Sequence, residues 1–175
     1  ASAMDRLEAC PASFHASKGL PDSSSDDAES GTRIHKSLET GDASELSPDE
    51  LDTFEMCQEQ RQQIVEAWYG SDPGHGVLDP FLEVRLGLTN IGGVVEVTEE
   101  TTATLRFTGQ ADAIAIDGKR GLVLDYKTGR GDYEHATGNR QLRALPAPAA
   151  RRRPLRSVRV PIVQPWRGAP PVAHP

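Results

Sequence analysis

Two aspartates and a lysine stand on neighbouring apolar stretches whose alternation is typical of strands. Asp112 begins the first stretch, and Asp125 and Lys127 end the second. The turn signal Asp117-Gly118 between them predicts an antiparallel hairpin, so the start of one strand lies beside the end of the other. Asp112 and Asp125 are therefore expected to meet at one end of a sheet. Asp125 and Lys127 are two residues apart and are expected to point to the same face.

Two carboxylates held together at neutral pH repel each other, and protonation or a bound cation relieves the repulsion. Their hard oxygen atoms suit Mg²⁺ or Mn²⁺, which keep open positions for water and a phosphate. A neighbouring lysine could hold the phosphate, orient the attacking water or stabilise the developing charge. These groups are the minimum needed to hydrolyse a phosphodiester. The alternative is that Asp125 and Lys127 form a plain surface ion pair.

The flanking elements predict an α/β (α+β) domain in which helices precede and follow a meander of strands. Residues 21–30 are expected to form a loop, and a helix is expected to begin near Gly31. A second helix should run from the Ser47-Pro48 start signal to about Tyr69. The remaining predicted elements are strands at 82–88, 94–97, 104–107 with 111–116, 121–127 and 158–163, and a short helix at Asn139–Leu145.

Composition narrows the class of protein. The chain has 175 residues, of which 37% are hydrophobic and 5% aromatic, enough for one domain with a modest core. No stretch approaches the 18 apolar residues of a membrane span, and no segment resembles a secretion signal. The two cysteines, Cys10 and Cys57, are too few for a disulfide scaffold, so a reducing, intracellular setting is expected.

Charge is distributed unevenly along the chain. Residues 1–100 carry a net charge of −15 and residues 101–175 carry +8, which together give the overall −7. A basic C-terminal part suggests a polyanionic partner, and Arg151 to Arg153 could contact phosphates. The alternative is that these arginines belong to a solvated tail.

Four segments in order resemble the PD-(D/E)XK nuclease superfamily, and more specifically its RecB-like branch with its small phage and prophage proteins. Asp112 followed by Asp125-Tyr126-Lys127 is similar to the core signature of the superfamily. The other segments are similar to the branch's opening Cys-Pro segment, its Gly-x-x-x-His helix and its Gln-Leu motif; they are Leu7–Phe14, Gly31–His35 and Asn139–Leu142. The resemblance implies a restriction-endonuclease-like core, a central mixed β-sheet flanked by helices.

The resemblance also implies roles for individual residues. Asp112, Asp125 and Lys127 would be catalytic. Asp112, Asp125, His35 and the backbone carbonyl of Tyr126 would bind Mg²⁺ or Mn²⁺. Without the motif, His35 would be interpreted as a partly buried structural histidine.

Further residues are expected around this centre. Gln141 and Arg140 would contact the substrate, although Gln141 could equally bridge backbone groups. Glu83, on an earlier strand, is a candidate outer acid. Some members of the branch hold an iron–sulfur cluster with one early and three late cysteines; here only Cys10 fits and no late cysteine is present before Pro175, so no cluster is expected.

These observations together predict a metal-dependent DNA nuclease. Its single domain is expected to cover residues 1–165, followed by a loose Pro/Gly-rich tail at 166–175. One interpretation is that the chain is a fragment of a longer protein. The expected partner is DNA, with no membrane association, in the cytoplasm of a bacterial cell hosting the phage or prophage.

Prolines at 146, 148 and 154 interrupt the region of the last helix, and each proline inside a helix costs about 3 kcal/mol. This interruption leaves two alternatives open: a nucleic-acid-binding module that has lost catalysis, or a truncated remnant.

Overall fold

The computed structural model describes residues 25–70, 84–89, 94–96, 105–129 and 155–167, together with Cys10. Helices precede the strands along the chain. The elements are α1 (Asp26–Thr40), α2 (Pro48–Tyr69), β1 (Val84–Thr89), β2 (Val94–Glu96), β3 (Leu105–Ala111), β4 (Ala113–Asp117), β5 (Arg120–Tyr126), β6 (Ser157–Arg159), β7 (Ile162–Val163) and a 3₁₀ turn (Pro165–Arg167). This order confirms the predicted α/β class and the restriction-endonuclease-like architecture.

Helix α1 begins earlier than predicted, because the segment expected to be a loop contains its own start signal. The Ser25 hydroxyl accepts a hydrogen bond from the Ala28 N–H at 3.3 Å. Asp26, Asp27 and Glu29 then fill the first turn, where the positive end of the helix dipole favours acids. Composition alone suggested a Ser/Asp-rich loop at 21–30, but serine followed by acids is also what starts a helix.

Helix α2 follows the prediction at both ends and is tied to α1 through Glu50. The Glu50 carboxylate accepts a hydrogen bond from the Ser47 backbone N–H at 2.9 Å, which is half of a capping box. It also accepts two bonds from Arg33 on α1, at 3.0 and 2.6 Å. Glu50 therefore fixes the start of α2 and the position of α1 with one buried side chain.

The strands form two sheet segments. Strands β2, β1 and β3 are neighbours in an antiparallel group, and β4 is antiparallel to β5. Strands β6 and β7 both pair with β5 in the parallel direction, so β5 is central to a mixed sheet. The single strand predicted at 158–163 is interrupted between Arg159 and Ile162, and its two parts run beside different ends of β5.

Strand β5 is buried on both faces, which explains its nearly continuous apolar run. Leu122, Leu124 and Tyr126 belong to the core cluster that includes residues of α1 and α2. Val123 belongs to a smaller cluster with Ile162, so successive side chains alternate between the two layers. The predicted helix Asn139–Leu145 lies outside the described residues. Neither of the two described helices is both long and apolar enough to cross a membrane.

The Glu50 network predicts a specific acid sensitivity. Arg33, followed by the Ser47 N–H, lowers the pKa of Glu50 to about 2, below its ordinary value. A carboxyl with a lowered folded-state pKa stabilises the fold above its unfolded-state pKa, and this stabilisation is lost as pH falls towards the folded-state value. Glu50→Gln keeps a side chain that can cap the helix but removes the charge that Arg33 contacts, so we expect it to cost about 1.5 kcal/mol at pH 7, the contribution of a hydrogen bond to a charged group, and much less near pH 2.

Chemical denaturation of wild type and Glu50→Gln across this pH range measures the effect. Glu55→Gln removes an exposed charge from the same helix and serves as the control. A difference between wild type and Glu50→Gln that stays constant from pH 7 to pH 2 would contradict the electrostatic role.

Candidate metal and nucleic-acid site

Asp112 occupies the break at which one strand changes its partner. Up to Ala111 the chain pairs with β1, and from Ala113 it pairs with β5, where Ala113 lies opposite Leu124. The Asp112 carboxylate accepts a hydrogen bond from the Tyr126 backbone N–H at 2.6 Å. The end of β5 thus holds this carboxylate in place, in agreement with an antiparallel hairpin that brings residues 112 and 125 to one end of the sheet.

His35 approaches the same position from helix α1. Its Nδ1 atom lies 3.5 Å from an oxygen of Asp112, and its ring packs edge-on against the Tyr126 ring with centroids 6.0 Å apart. Burial by itself lowers the pKa of His35, but the hydrogen bond and charge of Asp112, aided by Asp125, outweigh it and raise the pKa above its ordinary value. His35 therefore lies in a negative field that favours a positive charge.

Asp125 and Lys127 form the second contact of the site. The Lys127 ammonium lies 2.8 Å from the Asp125 carboxylate, whose side chain is only 6% exposed. The Lys127 backbone N–H donates to the Val163 carbonyl at 2.9 Å, so strand β7 fixes this end of β5. The pair agrees with the spacing of two residues along a strand.

The structure arranges these residues as two contacting pairs linked through the backbone of Tyr126. His35 contacts Asp112, and Lys127 contacts Asp125. Within the part of the chain that the structure describes, no three or more His, Cys, Asp and Glu side chains are grouped so as to hold a metal ion. Each carboxylate instead lies against a basic side chain of the protein itself.

The donor atoms nevertheless suit a divalent cation. Carboxylate and carbonyl oxygens suit Mg²⁺ or Mn²⁺, whereas an imidazole nitrogen is more usual with Zn²⁺ or Fe²⁺. In the structure Asp112 contacts His35 and Asp125 contacts Lys127, so a cation would bind in competition with these basic side chains. Asp112, Asp125, His35 and the Tyr126 carbonyl stay the predicted ligands of a cation.

The Tyr126 side chain is an unsuitable anionic ligand. Burial raises the pKa of its hydroxyl to about 12, although Arg61 on α2 opposes the shift. The phenol is therefore neutral at physiological pH, which leaves the backbone carbonyl as the group available from this residue. The sequence analysis did not identify Arg61 as a neighbour of Tyr126. The available signal was that Arg61 follows Cys57, a buried residue of α2, by four positions and so lies on the same side of the helix.

Gln141, Arg140 and Glu83 lie outside the described residues. Their proposed contacts with substrate or with the centre stay predictions.

A comparison with protein families gives a match over most of the chain. The family model of the PD-(D/E)XK nuclease superfamily matches residues 1–156. Searches of curated proteins and of solved structures find no significant match. The matched range includes Asp112 and the Asp125-Tyr126-Lys127 motif, which lie at the same end of the β4–β5 hairpin. The chain belongs to the PD-(D/E)XK nuclease superfamily.

Proposed function

We propose that the protein is a metal-dependent deoxyribonuclease of the RecB-like branch that hydrolyses phosphodiester bonds. The observation that carries the proposal is the contact of Asp112 with His35 and with the Tyr126 N–H, next to the Asp125–Lys127 pair. Members of the superfamily typically use divalent metals and act on nucleic acid. The four motif segments support the RecB-like assignment.

A bound Mg²⁺ or Mn²⁺ would neutralise charge on the phosphate and activate water. Two groups of the chain would assist this chemistry, the Tyr126 N–H and the Lys127 ammonium. The Tyr126 N–H holds the Asp112 carboxylate in one orientation, which reduces the reorganisation needed on binding. Lys127, with its side chain 35% exposed, can present its ammonium to a phosphate oxygen and stabilise negative charge that develops during cleavage.

The wider setting of the proposal depends on the motif resemblance. We extend it to a single domain of residues 1–165, supported by the family match over 1–156. The similarity to small phage and prophage proteins supports an origin of that kind and action on DNA in a bacterial cytoplasm.

Cleavage of labelled DNA by the purified chain tests the proposal. We expect cutting with Mg²⁺ or Mn²⁺, loss of cutting with a chelator, and recovery when the metal is restored. Asp125→Ala, purified in parallel, controls for contaminating nuclease. Equal cutting by wild type and this variant, or cutting that persists in chelator, would contradict the proposal.

A binding module without catalysis is the second candidate. The pairing of each carboxylate with a basic side chain, and the lack of a grouped metal site in the described residues, favour it. Such a protein would bind DNA with a strong dependence on salt and would not cleave it with either metal.

A further inference from the structure

An open cavity of about 520 Å³ lies beside the candidate site. Thr128 and Gly129, which directly follow Lys127, form part of its lining. Gly31, one helical turn before His35, lines it from α1, and a Cβ at this glycine would lie 3.4 Å from the Thr128 hydroxyl. The cavity thus lies between α1, which carries His35, the first turns of α2, the segment that follows β5 and the 3₁₀ turn.

The lining is acidic and aromatic. Asp27, Asp49 and Glu50 contribute carboxylates, of which Glu50 is paired with Arg33; Ser30 and Trp166 also line the cavity. Among the described residues that line the cavity there is no lysine or arginine. Carboxylates repel a phosphate, so the cavity is unsuited to the backbone of a nucleic acid even though it adjoins a site suited to phosphate.

A nucleobase has the properties that this lining requires. The exocyclic amine of cytosine, adenine or guanine donates hydrogen bonds to carboxylates, and the flat face of a base stacks on an aromatic side chain. A base in a duplex is already paired and stacked, so only an unpaired or extruded base can enter such a cavity.

We propose that this cavity binds an unpaired nucleobase of the nucleotide adjoining the phosphate at Lys127, with stacking on Trp166 and hydrogen bonding to Asp27 or Asp49. The inference rests on the proposed function to the extent that nucleic acid is the substrate. It adds that single-stranded substrate is preferred to duplex, and that bases with an exocyclic amine are preferred to thymine.

An arginine or lysine side chain of a protein partner would also suit acids beside an indole. The adjacency of the cavity to Lys127 favours the nucleotide, because a base and its phosphate are covalently joined and must occupy neighbouring positions. A protein partner has no such reason to bind next to the candidate catalytic lysine.

Fluorescence anisotropy with labelled oligonucleotides in the presence of chelator tests the inference without cleavage. We expect wild type to bind oligo-dC or oligo-dA about 10-fold more tightly than oligo-dT, the value of one hydrogen bond to a charged group. A duplex should compete poorly. Trp166→Phe and Trp166→Ala should weaken binding progressively, by about 10-fold for the alanine variant.

Matched variants separate the cavity from general effects. Trp68→Phe alters a tryptophan that stacks on Arg159 instead and should leave binding unchanged. Asp27→Ala should reduce the ratio of oligo-dC to oligo-dT affinity, whereas Asp26→Ala, the adjacent exposed acid of the same first turn, should preserve it. The ratio cancels the general gain in affinity that removing any negative charge produces.

The outcomes distinguish this inference from the proposed function. Base-selective binding that depends on Trp166, without cleavage in Mg²⁺ or Mn²⁺, would support the cavity and contradict the nuclease. Metal-dependent cleavage with equal binding of oligo-dC and oligo-dT, or with unchanged binding in both Trp166 variants, would overturn the cavity alone. Trp166-dependent binding of an arginine-rich peptide in place of the oligonucleotides would overturn it in favour of a protein partner.

Discussion

Lys127→Ala is expected to lower kcat for DNA cleavage by about 10²- to 10³-fold, the usual effect of removing a group that stabilises transition-state charge. The reason is the position of its ammonium, 2.8 Å from Asp125 and at the end of β5. Because the proposed role of Lys127 lies in the transition state, kcat should fall much more than KM changes. Steady-state cleavage of a labelled oligonucleotide over a range of substrate concentrations measures both constants.

Lys119→Ala is the matched control for this prediction. Lys119 is an exposed lysine in the turn between β4 and β5, at the opposite end of the same hairpin. Both variants remove one positive charge, so a general loss of attraction for DNA would affect them equally. Equal rates for Lys127→Ala and wild type, in a folded variant, would exclude Lys127 from catalysis.

The second large effect is expected on metal binding in Asp112→Ala. Asp112 is the residue that contacts both His35 and the Tyr126 N–H, so its loss removes a carboxylate ligand and the support of the imidazole. We expect Mn²⁺ affinity to fall by more than about 10-fold, because removing even an indirect support of a metal site costs that much. Titration calorimetry with Mn²⁺ alone measures this effect without a substrate.

Asp112→Asn and Asp117→Ala complete the metal experiment. Asp112→Asn keeps an oxygen that can accept the Tyr126 N–H, so it separates the loss of charge from local unfolding. Asp117, at the far end of β4, pairs with Arg120, and its removal should leave Mn²⁺ affinity unchanged. Undiminished Mn²⁺ binding in both Asp112 variants would show that this carboxylate is not a ligand.

The elements next to the site were largely predictable because their signals are local. The Ser47-Pro48 start of α2, the Asp117-Gly118 turn and the alternation of β1 each depend on a few neighbouring residues. The start of α1 was misjudged since Ser25 followed by acids is compatible with either a loop or a helix cap. The division of the last strand into β6 and β7 depends on its pairing with β5, which no local pattern reveals.

The sequence by itself determined which chemical groups are available: two aspartates and a lysine spaced for one end of a hairpin, with a histidine on a preceding helix. Only the tertiary structure decided how these groups pair, because contacts such as His35 with Asp112 join residues far apart in the chain. The same holds for the cavity, where Trp166 and Asp27 contribute to one lining. Local propensity acts over a few residues, whereas the packing of α1 and α2 on β5 and of the 3₁₀ turn on α2 sets these distances.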